Sequence, residues 1–303
     1  MNTNVDTSIE NENHNNKKNI KHLVISGGGT SGFITYGALK KSHELGVWNI
    51  NNIQSIYGTS AGAIISIILA LKYEWKILDD YLIKRPWHHI FKYDLYSVFG
   101  AFEKRGIFNI KIIEEIFSSL FSGMDISIDI TMRDFYELNH IDIHIFATDI
   151  NAFEPVDISH TTHPEWRVMD AVYASSCLPM FFAPLVKDGK YYIDGGIFLN
   201  YPLEPCIKCA NINSDEILGI RKQFLKSNND YISETSNLMD YILVLLQKVM
   251  KTLIKSSVDN LLNEIIINAN MTSAFDLLRM SSSEEMRTEW ITEGVELAQK
   301  LFL

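Results

Sequence analysis

Hydrophobic and polar positions fall into blocks whose lengths predict a mixed α/β chain. His22 to Ser26 (HLVIS) is a short apolar run that stops at Gly27, Gly28 and Gly29, the pattern of a buried strand meeting a turn. A helical stretch through Ala38, Leu39 and Leu45 follows. Ile53 to Tyr57 is a second short apolar run, broken at Gly58, and Ala61 to Leu71 then stays apolar for longer than a strand usually runs, which predicts a buried helix. Strand, glycine turn and helix, twice in succession, argue for an α/β architecture. Ile141 to Ile150 (IDIHIFATDI) alternates as a strand does, and Tyr191 to Ile193 closes another strand at Asp194, Gly195 and Gly196. From Ser236 the character changes. Across 237–269 apolar residues recur at helical spacing, and Ser281 with Glu284 forms a capping box ahead of a last helix through Trp290, Val295 and Leu297.

Composition adds exclusions. With 303 residues, 47% of them hydrophobic, the chain can bury a sizeable core, and disorder of the bulk is excluded. The first twenty residues are different: polar and Asn-rich, without an apolar run like a signal-peptide core, they read as a disordered tail. The most apolar runs, Ala61 to Leu71 and Tyr241 to Leu246, fall short of the roughly 20 residues a spanning helix needs. A cytoplasmic or soluble chain with peripheral membrane contact is expected, with no signal peptide or transmembrane helix. The 37 acidic against 27 basic residues give a formal charge of -10, which opposes non-specific attraction to nucleic acid, so no nucleic-acid partner is expected. Cys177, Cys206 and Cys209 are too few and too odd in number for a disulfide framework and read as free thiols in a reducing compartment. Cys206 and Cys209 have the spacing of half a zinc ribbon, but no second pair follows, so no metal site is expected.

The chemistry centres on Gly58-Thr59-Ser60-Ala61-Gly62, a GxSxG between a predicted strand and a predicted helix. Gly58 and Gly62 suit a sharp strand-to-helix turn that exposes the Ser60 hydroxyl, and the free N–H groups of the following helix favour an anion there. A serine hydroxyl needs a base. All nine histidines precede Asp194, which fits poorly with a chain order of nucleophile, acid and then histidine. Asp194, with Gly195 and Gly196 at a strand end, reads either as the second half of a Ser-Asp dyad or as a turn cap. Ser26 to Gly32 (SGGGTSG) leaves backbone N–H groups exposed, which suits an oxyanion or a phosphate. Gly27, Gly29 and Gly32 also satisfy GxGxxG, yet the second strand runs into Tyr57, Gly58, Thr59 and Ser60 rather than into the acidic residue a ribose requires.

In this order, the glycine loop, the GTSAG elbow and the DGG motif closely resemble the patatin-like phospholipase family. KRGIFNIKIIEEIF, MRDFYELNHIDIHIFATDI, MDAVYASSCLPMFFAPL and YYIDGGIFLNYPL look like family blocks, covering His22 to Pro205, and EGVELAQ resembles the family's closing helix. The resemblance implies a three-layer α/β/α fold with a central, mostly parallel sheet. It implies a Ser60-Asp194 dyad without histidine, an oxyanion hole from Gly27, Gly28, Gly29 and Gly32, and calcium-independent hydrolysis of lipid acyl esters with no cofactor. One departure stands out: the family's loop reads GGGxRG or GGGxKG, and this chain has Ser31 at the basic position. A catalytically weak module that binds lipid or a partner is the alternative, and Ser31 is its argument. The expected organisation is a tail over 1–20, an α/β catalytic domain over 21–210 and a mainly helical part over 211–303 packed on that domain.

Lys84 to Phe108 gathers Trp87, Phe91, Tyr93, Tyr96, Phe99 and Phe102 with Lys84, Arg85, Lys92, Lys104 and Arg105, against Asp94 and Glu103. Rings beside cations suit transient contact with a membrane surface; the other reading is an aromatic cap on the core. Core packing is the first expectation for 238–267.

Overall fold

The structure is a computed structural model that describes residues 19–303 except 93–94, 211, 225–230, 235, 237, 254–260 and 270–273. Most of the predicted tail lies outside the described residues. The strands are β1 (His22–Ile25), β2 (Ser55–Thr59), β3 (Gly106–Phe108), β4 (Asp142–Asp149), β5 (Glu154–Ile158), β6 (Met180–Phe182), β7 (Leu185–Lys187), β8 (Lys190–Asp194), β9 (Ile217–Phe224) and β10 (Glu264–Ala269). The helices are α1 (Gly32–Glu44), α2 (Ala61–Ala70), α3 (Trp75–Lys84), α4 (Leu95–Lys104), α5 (Lys111–Ser122), α6 (Met132–Asn139), α7 (Val168–Ser176), α8 (Leu203–Ala210), α9 (Leu238–Leu253), α10 (Ala274–Ser282) and α11 (Glu284–Phe302).

An eight-stranded sheet runs β10-β9-β1-β2-β4-β8-β7, with β5 paired to β4 off this path. Its neighbours from β10 to β4 are parallel, and β5, β7 and β8 join antiparallel. Every residue of β1 and β2 is buried, as parallel strands covered on both faces must be. Alternation divides the two faces. Leu23, Ile25 and Ile56 point into the main core with residues of α1, α2, α5, α7 and α11, whereas Val24, Tyr57 and Phe146 meet Leu203 and Cys206 of α8. Helices therefore flank a central, mostly parallel sheet, as the resemblance implies.

Two expectations change. The last part of 237–269 is not helical: Glu264–Ala269 is a strand beside β9, because alternate residues Ile265 and Ile267 enter the core while Ile266 stays exposed. The cap of the last helix is Ser283, not Ser281. Ser281 and Ser282 complete α10, and the extended Ser283 accepts the Met286 N–H at 3.1 Å.

Candidate active site

Ser60 joins β2 to α2 with φ 55° and ψ −119°, a positive φ rare for a residue with a side chain. Close packing enforces it. A Cβ at Gly62 would lie 2.2 Å from the Ile25 carbonyl oxygen, so α2 abuts β1 and the turn cannot relax. The Ser60 N–H donates to Ser175 Oγ at 2.8 Å, and that hydroxyl donates to the Phe146 carbonyl at 2.5 Å. The Ser60 hydroxyl donates to Asp194 Oδ2 at 2.6 Å.

Asp194 ends β8 and is buried. Its Oδ1 accepts the Gly196 N–H at 2.7 Å, so both carboxyl oxygens are engaged, one by backbone and one by the serine. Loss of water raises its pKa to about 6, and the two hydrogen bonds to the charged form work against that rise. A carboxylate at this pKa is mostly ionised at neutral pH and basic enough to take a hydrogen-bonded proton.

The glycine loop closes the site from β1. Gly29 takes φ +55°, and Gly29–Ser31 form one 3-10 turn. Asn200 ties the loop down from 173 positions away: the Gly27 N–H donates to its carbonyl at 3.0 Å, and its Nδ2 donates to the Gly27 carbonyl at 3.2 Å. Gly27, Gly28, Gly29, Gly32, Ser60 and Asp194 all line one cavity of about 210 Å³. The cavity runs between apolar walls from α2, α5 and α10, including Ile65, Ile68, Ile112, Ile116 and Met280. Asp194 and Lys222 are the charged residues among its described lining, which includes no histidine. Gly58, Gly62, Gly195 and Gly196 stand outside that lining and serve close packing; a Cβ at Gly195 would lie 1.9 Å from the Phe146 carbonyl oxygen.

The structure brings the serine, the aspartate and the glycine loop together at one cavity, beside Ser175, Asn200 and Lys222, which the sequence reading did not single out. Asn200 follows the DGG motif closely and could have been noticed; Lys222 has no local signal at all.

The 84–108 segment divides. Trp87 and Phe91 are buried and line the cavity, packing at 6.5 Å between ring centroids, so the interfacial reading does not hold for these two rings. Their side chains point inward because the 3-10 turn at Trp87–His89 lies under α10. Lys84 pairs with Asp80 at 2.6 Å and Arg85 donates to the Glu115 carbonyl at 2.6 Å. Phe99 and Phe102 on α4 are 76% and 94% exposed, beside the exposed Lys104 and Arg105. Tyr93 and Asp94 lie outside the described residues, as does the side chain of Tyr96.

The family model described as patatin-like phospholipase matches residues 23–207. The chain is similar to uncharacterized protein R571 of Acanthamoeba polyphaga mimivirus, with 29% identity over 230 residues that cover 75% of this chain and 74% of that protein. It is also similar to probable lipid hydrolase 463L of Invertebrate iridescent virus 6, with 27% identity over 216 residues, 68% of this chain and 71% of that one. Among solved structures, VipD from Legionella pneumophila shares the fold with a TM-score of 0.55 and 17% identity, over 94% of this chain and 67% of that one.

Proposed function

The chain belongs to the patatin-like phospholipase family, and on that premise we propose that it is a serine lipid acyl hydrolase of phospholipase A type, working through Ser60 and Asp194. The observation that carries the reading is the 2.6 Å hydrogen bond from the Ser60 hydroxyl to a buried carboxylate in a cavity whose lining is mostly apolar. An acyl chain fits the apolar walls and brings its ester carbonyl to Ser60. Asp194 takes the Ser60 proton as Oγ bonds to the carbonyl carbon, and the negative oxygen faces backbone N–H groups of the glycine loop. The alcohol half leaves with that proton. Water then attacks the acyl-enzyme, with Asp194 taking its proton, and Ser60 is regenerated as the fatty acid departs. Similarity to a probable lipid hydrolase supports the substrate class. Contact with the membrane is assigned to α4 through Phe99 and Phe102, where exposed rings sit beside cations.

The test is a fluorophosphonate probe together with fluorescent phospholipids. The wild type is expected to label and to release fatty acid, and Ser60→Ala to do neither. Labelling that persists in Ser60→Ala would sink the assignment.

A further inference from the structure

The glycine loop is held from a second direction that the dyad does not use. Lys222 lies on β9, where Ile220 pairs with Ile25 of β1, and its own N–H donates to Ser26 Oγ at 2.8 Å. The root of the side chain is thereby fixed beside the loop, and its Nζ donates to the Gly28 carbonyl at 3.2 Å. The same oxygen accepts the Ser31 hydroxyl at 2.7 Å and the Ser31 N–H at 3.2 Å. A trans peptide is planar, so the Gly28 carbonyl and the Gly29 N–H point in opposite directions. Whatever holds the carbonyl also aims the N–H. A cation on the carbonyl further polarises the peptide unit, which strengthens its N–H as a donor inside a low-dielectric cavity.

We propose that Lys222 and Ser31 are positioning residues for this reaction: they clamp the Gly28 carbonyl from two sides so that the Gly29 N–H is presented to the developing oxyanion. The inference rests on the acyl-hydrolase reading above. Burial pushes the Lys222 ammonium down to about 8, with Asp276 of α10 opposing the shift, so its charge is lost in mildly alkaline solution. Asp194, the other charged group of the cavity lining, is already ionised there.

The test uses the full chain and a soluble short-chain ester, with kcat and KM measured separately for Lys222→Met, Ser31→Ala and the double variant. Each single variant is expected to lose roughly 10- to 100-fold in kcat, below the loss from deleting an oxyanion donor outright, with KM within about twofold. The double variant should lose less than the product of the two, because both groups act on one oxygen. In the wild type kcat should also fall as pH rises through about 8, and in Lys222→Met that alkaline limb should vanish. Ser31→Ala removes a single hydroxyl and keeps the test open should Lys222→Met fail to fold. Values of kcat within twofold of wild type in either folded single variant, beside an inactive Ser60→Ala, would overturn the clamp and leave the hydrolase reading intact. A wild type that neither labels nor hydrolyses would overturn that reading itself.

Discussion

Thr59 and Asp194 occupy consecutive register positions on the same edge of β4: Thr59 pairs with Phe146 and Asp194 with Ala147. The opposite edge is taken by β5, which pairs with Ile145 to Asp149. The main chain therefore sets how far the Asp194 carboxylate stands from Ser60, and Gly195 packs so closely on the Phe146 carbonyl that a Cβ there would lie 1.9 Å from its oxygen. Asp194→Glu adds one methylene to a site that cannot yield. Its activity on a short-chain ester is expected to fall by roughly 100-fold or more, approaching the loss in Asp194→Asn, with an unchanged circular dichroism spectrum.

The pH dependence follows from the buried carboxylate. Activity should rise as pH passes through about 6, where Asp194 ionises, and a pH–rate profile measures this directly. For stability the sign is opposite. The folded pKa lies above the value of an unfolded aspartate, so the group favours folding fully only below the unfolded pKa and loses that contribution as pH rises through about 6. Asp194→Asn removes the cost of a buried charge. At pH 8 it is expected to be more stable than wild type by up to about 3 kcal/mol in urea unfolding while inactive.

His144 gives the protein a second pH response, away from the site. Its ring stacks on Tyr57 at 4.4 Å, Nδ1 lies 2.8 Å from Asp157 and Nε2 lies 3.2 Å from Asp142. Burial alone lowers the imidazole pKa, and the two carboxylates outweigh it and push it up to about 10. Stability from this group is present below the unfolded histidine value and declines as pH rises towards about 10. His144→Gln should cost about 2–3 kcal/mol at pH 6 and clearly less at pH 10, read from urea midpoints.

Helices α1 and α11 touch backbone to backbone. A Cβ at Gly294 would lie 1.9 Å from the Ile34 carbonyl oxygen, and one at Gly37 would lie 2.0 Å from that of Ile291. Neither helix can shift without opening the core that Leu39 and Ala298 share. Gly294→Ala is expected to destabilise by about 3 kcal/mol, visible as a lowered Tm, whereas an alanine at the exposed Thr292 should leave Tm nearly unchanged.

Surface binding should reside in α4. Phe99→Ala and Phe102→Ala are expected each to weaken flotation with anionic liposomes roughly tenfold, from the lost transfer of one ring. Hydrolysis of a soluble ester should be unaffected. Trp87→Ala and Phe91→Ala should instead alter the cavity and change acyl-chain preference. Unchanged flotation in both α4 variants would remove the surface role.

Local pattern was enough for the elements that build the site. Apolar runs ended by glycine located β1 and β2, and small residues around Ser60 marked the turn, because a strand-to-helix elbow imposes its demands on adjacent positions. The same local view mistook β10 for helix, since a short run of isoleucines fits either period until a partner strand is known. It also grouped Trp87 and Phe91 with Phe99 and Phe102, since ring content says nothing about which way a side chain faces.

By itself, then, the sequence determined the family and the α/β order and singled out Ser60, Asp194 and the glycine loop as candidates, because each is written in a short contiguous motif. Tertiary structure decided what holds those motifs in place. Ser175 reaches the Ser60 N–H from 115 positions away, Asn200 and Lys222 reach the glycine loop, and the lysine comes in from β9 to a loop whose own basic position carries Ser31. Such contacts leave no periodic trace, because they depend on which strands lie side by side, and strand order is fixed by the packing of the whole sheet rather than by neighbouring residues.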